Sequence, residues 1–205
     1  MGFYERRVLP AMLDFAMSQP PIMHQREKVV PRARGRVLEI GLGSGLNLGF
    51  YDAEKVDVVL GLEPSAELKQ RAAPRAAKAD VPLEMVGLIG EDIPLESESV
   101  DTVLVTYTLC TIPGVDAALA EMRRVLRPAG ELIFCEHGLA PDANVARWQA
   151  RVEPIWKRLA GGCHLTRDIP KLLQSAGFEV RDLEQLYLPG PRIATYNSWG
   201  TAVPV

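Results

Sequence analysis

The stretch Val37-Leu38-Glu39-Ile40-Gly41-Leu42-Gly43-Ser44-Gly45 joins an apolar strand to three glycines at alternate positions. A strand that runs into glycines can turn sharply at its carboxyl end. Backbone without a Cβ also lets a ligand come close, and a helix starting there would present free N–H groups. Glu63 ends the next apolar run, where a carboxylate can accept both hydroxyls of a ribose. These features predict a site for a nucleotide-type ligand.

The spacing of the glycines narrows the ligand. A dinucleotide loop has the form G-x-G-x-x-G, which rests a pyrophosphate on a helix N-terminus. Here Leu46 stands where that third glycine belongs. The run from Glu39 through Gly41 and Gly43 to Gly45 instead resembles E-x-G-x-G-x-G, the first motif of the S-adenosylmethionine-dependent methyltransferases, whose ligand has no phosphate to cradle.

Apolar strand texture at Arg36 to Ile40 returns at Val56 to Leu62, Val100 to Thr106 and Leu132 to Cys135, as expected for strands covered on both faces. Helical patterns separate these runs. Ser65 is placed to cap a helix through about Ala73, before Pro74, and Asp116 to cap another running to Arg127. That second helix has a stripe of Leu119, Met122, Val125 and Leu126 and is stopped by Pro128-Ala129-Gly130. Alternating strands and helices predict a parallel sheet. The last third reads as a helix from Asp142 to Leu159 with a Val145, Trp148, Val152, Ile155, Trp156 face, then a short helix from Arg167 to Ala176. Phe178 to Leu188 and Arg192 to Val203, split by Pro189-Gly190-Pro191, read as an antiparallel pair.

At 205 residues the chain suits a single domain, 1–205, with residues 1–31 as a helical lid segment. Within that segment Phe3, Val8, Met12, Phe15 and Ala16 recur near helical spacing. Pro10 and Asp14 break the pattern of an export signal, and Arg6 stands where a myristoylation signal at Gly2 would need Ser or Thr. No run approaches the roughly 18 apolar residues of a membrane span. The net charge of −3 gives no reason to expect a nucleic-acid partner. Cys110, Cys135 and Cys163 are odd in number, far apart and without a C-x-x-C pair, which predicts reduced cysteines, no metal site and a cytoplasmic protein.

From about Arg36 to the C-terminus the chain resembles a class I methyltransferase, on four segments in order. They are Leu38 to Gly45, Glu63-Pro64-Ser65, Gly90-Glu91-Asp92-Ile93-Pro94-Leu95 followed by Ser99-Val100-Asp101, and Glu121 to Gly130. The resemblance implies a Rossmann-like α/β fold. Its seven-stranded, mostly parallel sheet would have the order 3-2-1-4-5-7-6, helices on both faces and a C-terminal antiparallel hairpin. It implies S-adenosyl-L-methionine lined by Gly41, Gly43, Gly45, Glu63, Gly90 and Glu91, with Glu39, Ser44, Asn47, Pro64 and Thr106 nearby. Thr108-Leu109-Cys110, Phe134-Cys135-Glu136-His137 and Gly162 to Arg167 narrow the resemblance to the membrane-associated alkyl-thiol S-methyltransferases, grouped with type 11 enzymes. The hydrophobic N-terminal anchor of those enzymes has no counterpart in this sequence, so at most peripheral membrane contact is expected.

Methyl transfer is an in-line displacement at a carbon bound to a sulfonium, for which alignment and desolvation do most of the work, on the order of 7–11 kcal/mol in favourable models. A base is needed only when the acceptor arrives protonated. His137, directly after the fifth strand, is the first candidate, with His164 and His24 behind it. A histidine there could equally hydrogen-bond a loop. Glu136 could orient His137 or the substrate, or pair with a surface arginine. Leu109, Phe15 and the apolar N-terminal helix are expected to face a small apolar acceptor, best matched by an alkyl thiol. Trp148 and Trp156, eight apart, read as core, and Glu91, Asp92, Glu96 and Glu98 as a mostly solvated loop. The cysteines lack the arrangement of arsenical methylation. Other acceptors in the same class are a quinone precursor or an ethanolamine phospholipid. Readings from another class are a NAD-dependent dehydrogenase or a non-catalytic S-adenosylmethionine-binding protein.

Overall fold

The computed structural model describes residues 4–87 and 89–205, so Gly2 and Phe3 of the N-terminal pattern lie outside the described residues. Seven strands form one sheet: β1 (Gly35–Ile40), β2 (Val56–Leu62), β3 (Leu83–Gly87), β4 (Val100–Thr106), β5 (Leu126–His137), β6 (Phe178–Tyr187) and β7 (Tyr196–Pro204). Their order is β3-β2-β1-β4-β5-β7-β6, with β7 antiparallel to both of its neighbours. This is the order that the resemblance implied, with the antiparallel pair expected around Pro189-Gly190-Pro191. The edge strand β3 carries only partly buried and exposed side chains and gave no clear pattern of its own.

Alternation along the strands divides the core into two layers. Leu38, Ile40, Val103, Val105, Leu132 and Phe134 point to one face, against Leu119, Met122 and Val125 of helix α4 (Val115–Val125) and Ile169 and Leu173 of α6 (Ile169–Ser175). Val37, Val59, Leu104 and Ile133 point to the other face. There they meet Val29 of α2 (Pro20–Val29), Ala72 of α3 (Ala66–Ala76) and the turn residues Leu48 and Tyr51. Period-two alternation makes each strand contribute to both layers.

Helix boundaries follow capping chemistry. Ser65 caps α3 by accepting the Leu68 N–H, and the helix continues through Pro74 to Ala76. Asp116 does not cap α4. The cap position is Gly114, whose N–H donates to Glu91 Oε1 at 3.0 Å, and Asp116 lies in the first turn. The stretch Leu126 to Gly130 joins β5 rather than ending a helix in a loop, with a register shift opposite Val100 and Thr102. The second half of the closing pair begins later than expected, because α7 (Arg192–Thr195) takes one helical turn before β7.

Two helices expose apolar residues that their pattern suggested were buried, along α1 and at part of the expected face of α5. In α5 (Ala143–Leu159), Trp148 is 57% and Ile155 64% exposed. Gln149 is the fully buried residue, donating to the Gly138 and Ile193 carbonyls and accepting the Ala140 N–H. Buried backbone groups need partners, and an amide on α5 supplies three, so polar satisfaction sets the rotation of the helix. In α1 (Leu9–Met17), Val8 just before it, Met12 and Phe15 face outward while Pro10 is buried and Asp14 reaches the glycine loop.

Gly200 of β7 lies against the β6 irregularity between Arg181 and Glu184, where Asp182 has φ 48°. A Cβ at Gly200 would sit 2.7 Å from the Asp182 carbonyl oxygen and 2.9 Å from that of Arg181. Neither backbone atom can yield cheaply. Gly200→Ala should therefore cost about 1–3 kcal/mol of unfolding free energy by urea denaturation, and an unchanged midpoint would show that the bulge can relax.

Candidate active site

The glycine run leaves β1 through a chain of turns over residues 41–50, and no helix follows it. The expected helix N-terminus is therefore absent from this loop. Gly41, Gly43 and Gly45 all have positive φ, but for separate reasons. A Cβ on Gly41 would strike the Thr108 side chain at 2.4 Å, and one on Gly45 would press Leu48 at 2.9 Å. At Gly43 the nearest atom to such a Cβ is the Gly41 carbonyl oxygen, 3.8 Å away. Gly43 thus keeps open space on the side where a ligand would approach.

Glu63, at the carboxyl end of β2, accepts the Gly43 N–H at 2.8 Å and the Ser65 N–H at 2.8 Å. Burial raises its pKa, against the two N–H bonds that lower it. Pro64 beside it is exposed. The open Gly43 face and the adjoining carboxylate suit a ligand with a ribose diol, and the loop lacks the helix terminus on which a pyrophosphate would rest.

Beneath the loop lies a buried polar network that only partly matches the expected binding set. Asn47 donates to Glu39 Oε1 at 2.9 Å and to Thr106 Oγ1 at 3.0 Å, and the Tyr51 hydroxyl donates to Glu39 Oε2 at 2.7 Å. Arg26 enters from α2 and donates through Nη1 to Asn47 Oδ1 and Thr106 Oγ1, both at 2.7 Å, with its guanidinium 5.2 Å from the Tyr107 ring centre. Glu39, Asn47 and Thr106 therefore have their polar groups engaged with the protein. Arg26 went unrecognised in the sequence, although it shares the apolar side of α2 with Ile22 and Val29. Above the loop, Ser44 donates its hydroxyl to Asp14 Oδ1 at 2.5 Å, and Arg75 Nη1 bonds the Ser44 carbonyl at 2.8 Å. Helix α1 is thereby pinned to the glycine run.

The carboxyl ends of β4 and β5 form the other half of the site. Tyr107 has φ 55°, uncommon for a non-glycine residue, and the chain turns there. Thr108 and Leu109 then donate their N–H groups to Glu136 Oε1 at 2.7 and 3.1 Å. Burial drives the Glu136 pKa up to about 7. His137 Nε2 meets Cys163 Sγ at 3.0 Å, and Trp156 Nε1 donates to the same sulfur at 3.2 Å. The sulfurs of Cys110 and Cys163 and a His137 ring nitrogen all lie within 4.8 Å of one another. Cys163 lies well below an ordinary thiol pKa because Cys110, then His137 and Trp156, hydrogen-bond it, while the same Cys110–Cys163 bond pushes Cys110 up. Their separation along the chain had suggested no shared ligand set.

Several expected site residues sit elsewhere. Phe15 is 71% exposed because Asp14 turns the opposite side of α1 inward, and His24 pairs with Glu27 at the surface at 3.3 Å. Leu109 is fully enclosed in the apolar core, so it presents no free surface to an acceptor. The His164 ring contacts Glu153 at 3.3 Å rather than the sulfur cluster, while the His164 backbone N–H donates to the Cys110 carbonyl at 2.8 Å. Gly90 is buried against Ala118 and Ile40, and Glu91 is engaged at the start of α4. Of the two tryptophans, Trp156 reaches the site and Trp148 does not.

A family model described as a methyltransferase domain matches residues 38–134. Human thiol S-methyltransferase TMT1B is 37% identical over 160 residues, covering 75% of this chain and 64% of the human protein. The chain thus spans less than two thirds of that relative's length. Phosphatidylethanolamine N-methyltransferase of Cereibacter sphaeroides is 30% identical over 151 residues, covering 70% of this chain and 73% of that protein. Among solved structures, a methyltransferase from Thermotoga maritima superposes with a TM-score of 0.68 at 22% identity, covering 98% of this chain and 97% of its own.

The buried network gives a pH signature. Glu39 has its pKa raised to about 7, chiefly by burial and to a smaller degree by the Glu63 charge, against the Tyr51 and Asn47 bonds and Arg26. The folded protein then holds a proton there that the unfolded chain has already released, so this group's stabilisation is complete below its ordinary carboxyl pKa and is lost as pH rises through about 7. Glu39→Gln should gain stability relative to the parent between roughly pH 5 and pH 8 in urea unfolding. A difference that stays constant across that range would mean that Glu39 is ionised throughout.

Proposed function

The chain belongs to the S-adenosylmethionine-dependent methyltransferase family, and we propose that it transfers the methyl group of S-adenosyl-L-methionine to the sulfur of a small apolar thiol. The observation that carries the donor half is the open face of Gly43 beside the buried Glu63 carboxylate, within a loop that starts no helix. The sulfonium supplies an electrophilic methyl carbon. In this reading Glu63 accepts the ribose hydroxyls while continuing to tie down Gly43, and Ser44 and Asp14 hold α1 over the donor as a lid. Glu39, Asn47 and Thr106 serve as scaffold for the loop through the Arg26 network.

The acceptor half is supported by the Cys110, His137 and Cys163 cluster and by the thiol enzyme among the relatives. The cluster is next to the donor loop, because Thr108, which packs on Gly41, lies two residues before Cys110. His137 is assigned to the acceptor side. Its Nε2 already meets Cys163, so it works together with that sulfur. Glu136 is a positioning residue that acts through the Thr108 and Leu109 backbone, and His164 helps to fix the Cys110 loop. The cytoplasm is the proposed location, supported by three free cysteines. Among the described residues no helix is long and apolar enough to cross a membrane.

A second reading, N-methylation of an ethanolamine phospholipid, is favoured by the larger share of the Cereibacter sphaeroides enzyme that the chain spans. A dinucleotide-dependent reaction loses support, since the glycine loop has no helix terminus for a pyrophosphate.

A labelled-methyl assay against alkyl thiols, ethanolamine phospholipids and quinone precursors, read by mass, should show a thioether. Label only on an amine headgroup would replace the thiol reading with the phospholipid one, and tight donor binding without product on any acceptor would point to a silent binder. Glu63→Ala should weaken donor binding by about 1.5–3 kcal/mol in titration calorimetry, since buried hydrogen-bonding groups lose their charged acceptor. Unchanged affinity would remove Glu63 from the site.

A further inference from the structure

We infer that Cys110, His137 and Cys163 form a preorganised three-ligand site for a thiophilic d10 ion, with Zn2+ the best fit, that leaves one coordination position open toward the acceptor. The donor atoms are two sulfurs and an imidazole nitrogen within 4.8 Å of one another, His137 Nε2 and Cys163 Sγ being 3.0 Å apart. Tetrahedral zinc, with metal–sulfur distances of about 2.3 Å and metal–nitrogen distances of about 2.0 Å, holds its ligand atoms roughly 3.5–4 Å apart. Adjustments well within side-chain freedom would bring the three into place. Two thiolates and a neutral imidazole also balance a dication, which matters where Cys110 and Cys163 are both buried. Cys2His with a fourth position vacant is a donor set of catalytic rather than structural zinc.

The loops that bear these ligands are tied to one another independently of any ion. His164 donates its N–H to the Cys110 carbonyl at 2.8 Å, and Arg167 bonds the Ile112 carbonyl at 2.8 Å and also the Leu109 carbonyl. Glu153 of α5 accepts from Thr166 N at 2.8 Å and Thr166 Oγ1 at 2.7 Å, securing the segment after Cys163. Trp156 Nε1 donates to Cys163 Sγ at 3.2 Å, the kind of outer bond that orients a ligating thiolate. Cys135, the remaining cysteine, is not part of the set and has its own partner in the Tyr107 hydroxyl at 3.5 Å.

The role of the open position rests on the thiol reading above. A thiol binding there becomes a metal-bound thiolate and releases its proton to solvent. A lone pair of that sulfur forms the new sulfur–methyl bond as the sulfonium–methyl bond breaks, its electrons returning to the donor's sulfur. The neutral thioether produced is a weaker ligand than the thiolate and can leave.

Cobalt(II) is a spectroscopic probe that reports without turnover. Reduced, chelator-treated full-length protein should bind one equivalent, with thiolate-to-cobalt charge transfer and tetrahedral d–d bands, and zinc should displace it. The bands should be lost in Cys110→Ser/Cys163→Ser and kept in Cys135→Ser, and Trp156→Phe should weaken binding about tenfold. Absence of charge transfer in folded, reduced protein, or its survival in the double variant, overturns the site. Zinc-edge X-ray absorption on the unmutated protein needs no variant to fold. It should give two sulfurs and one imidazole nitrogen, and a shell of oxygens alone overturns the site. An added alkyl thiol should contribute a third sulfur. Metal binding without methylation of any thiol would sink the acceptor reading and leave the ion site standing. Full thiol methylation by verified metal-free protein would overturn the catalytic role alone.

Discussion

The Arg26 guanidinium, buried where α2 meets the sheet, is the interaction on which the rest of the site depends. It bonds Asn47 in the turn region and Thr106 at the end of β4 and stacks over Tyr107, the left-handed residue from which the Cys110 loop departs. Removing one partner from a buried charged network costs about 3–5 kcal/mol, because the remaining charge is left uncompensated. A single side chain from α2 therefore couples the N-terminal helices, the turn region after β1 and the chain leaving β4. Burial depresses the Arg26 pKa, and the neighbouring Tyr107, Cys135, Glu39 and Glu136 oppose that shift.

The glycine loop shows how one motif serves several physical ends. Gly41 makes room for Thr108 and Gly45 for Leu48 and Ala72, so these two are packing requirements, whereas a Cβ at Gly43 would meet nothing closer than the Gly41 carbonyl oxygen at 3.8 Å. Glu63 links the loop to β2 by accepting the Gly43 and Ser65 N–H groups. Because the loop continues as turns, it does not present the positive end of a helix.

Much of this was legible along the chain. Strands covered on both faces must be apolar and helices between them must carry one apolar stripe, which was sufficient to find β1, β2, β4, α3 and α4, although Pro74 lies inside α3 and Pro128-Ala129-Gly130 lies inside β5 rather than marking a helix end. Patterning pointed the wrong way where elements dock through polar groups. Gln149 turns the Trp148 and Ile155 face of α5 outward, and Asp14 does the same to Met12 and Phe15 of α1. A hydrophobic pattern reports the buried face only when burial itself provides the driving force.

By itself, then, the sequence determined which segments become the main strands and helices and that a glycine turn follows β1, because these follow from periodicity and local backbone freedom, while the strand order came from the family resemblance. The tertiary structure decided which polar groups meet. Cys110, His137 and Cys163 come from the chain after β4, the end of β5 and a distant loop, and the pairing of β4 with β5, with α5 beside them, brings two sulfurs and an imidazole together. The insertion of Arg26 beneath the glycine run is of the same kind. Both depend on contacts between residues far apart in sequence, whose partners are chosen by desolvation and geometry rather than by spacing along the chain.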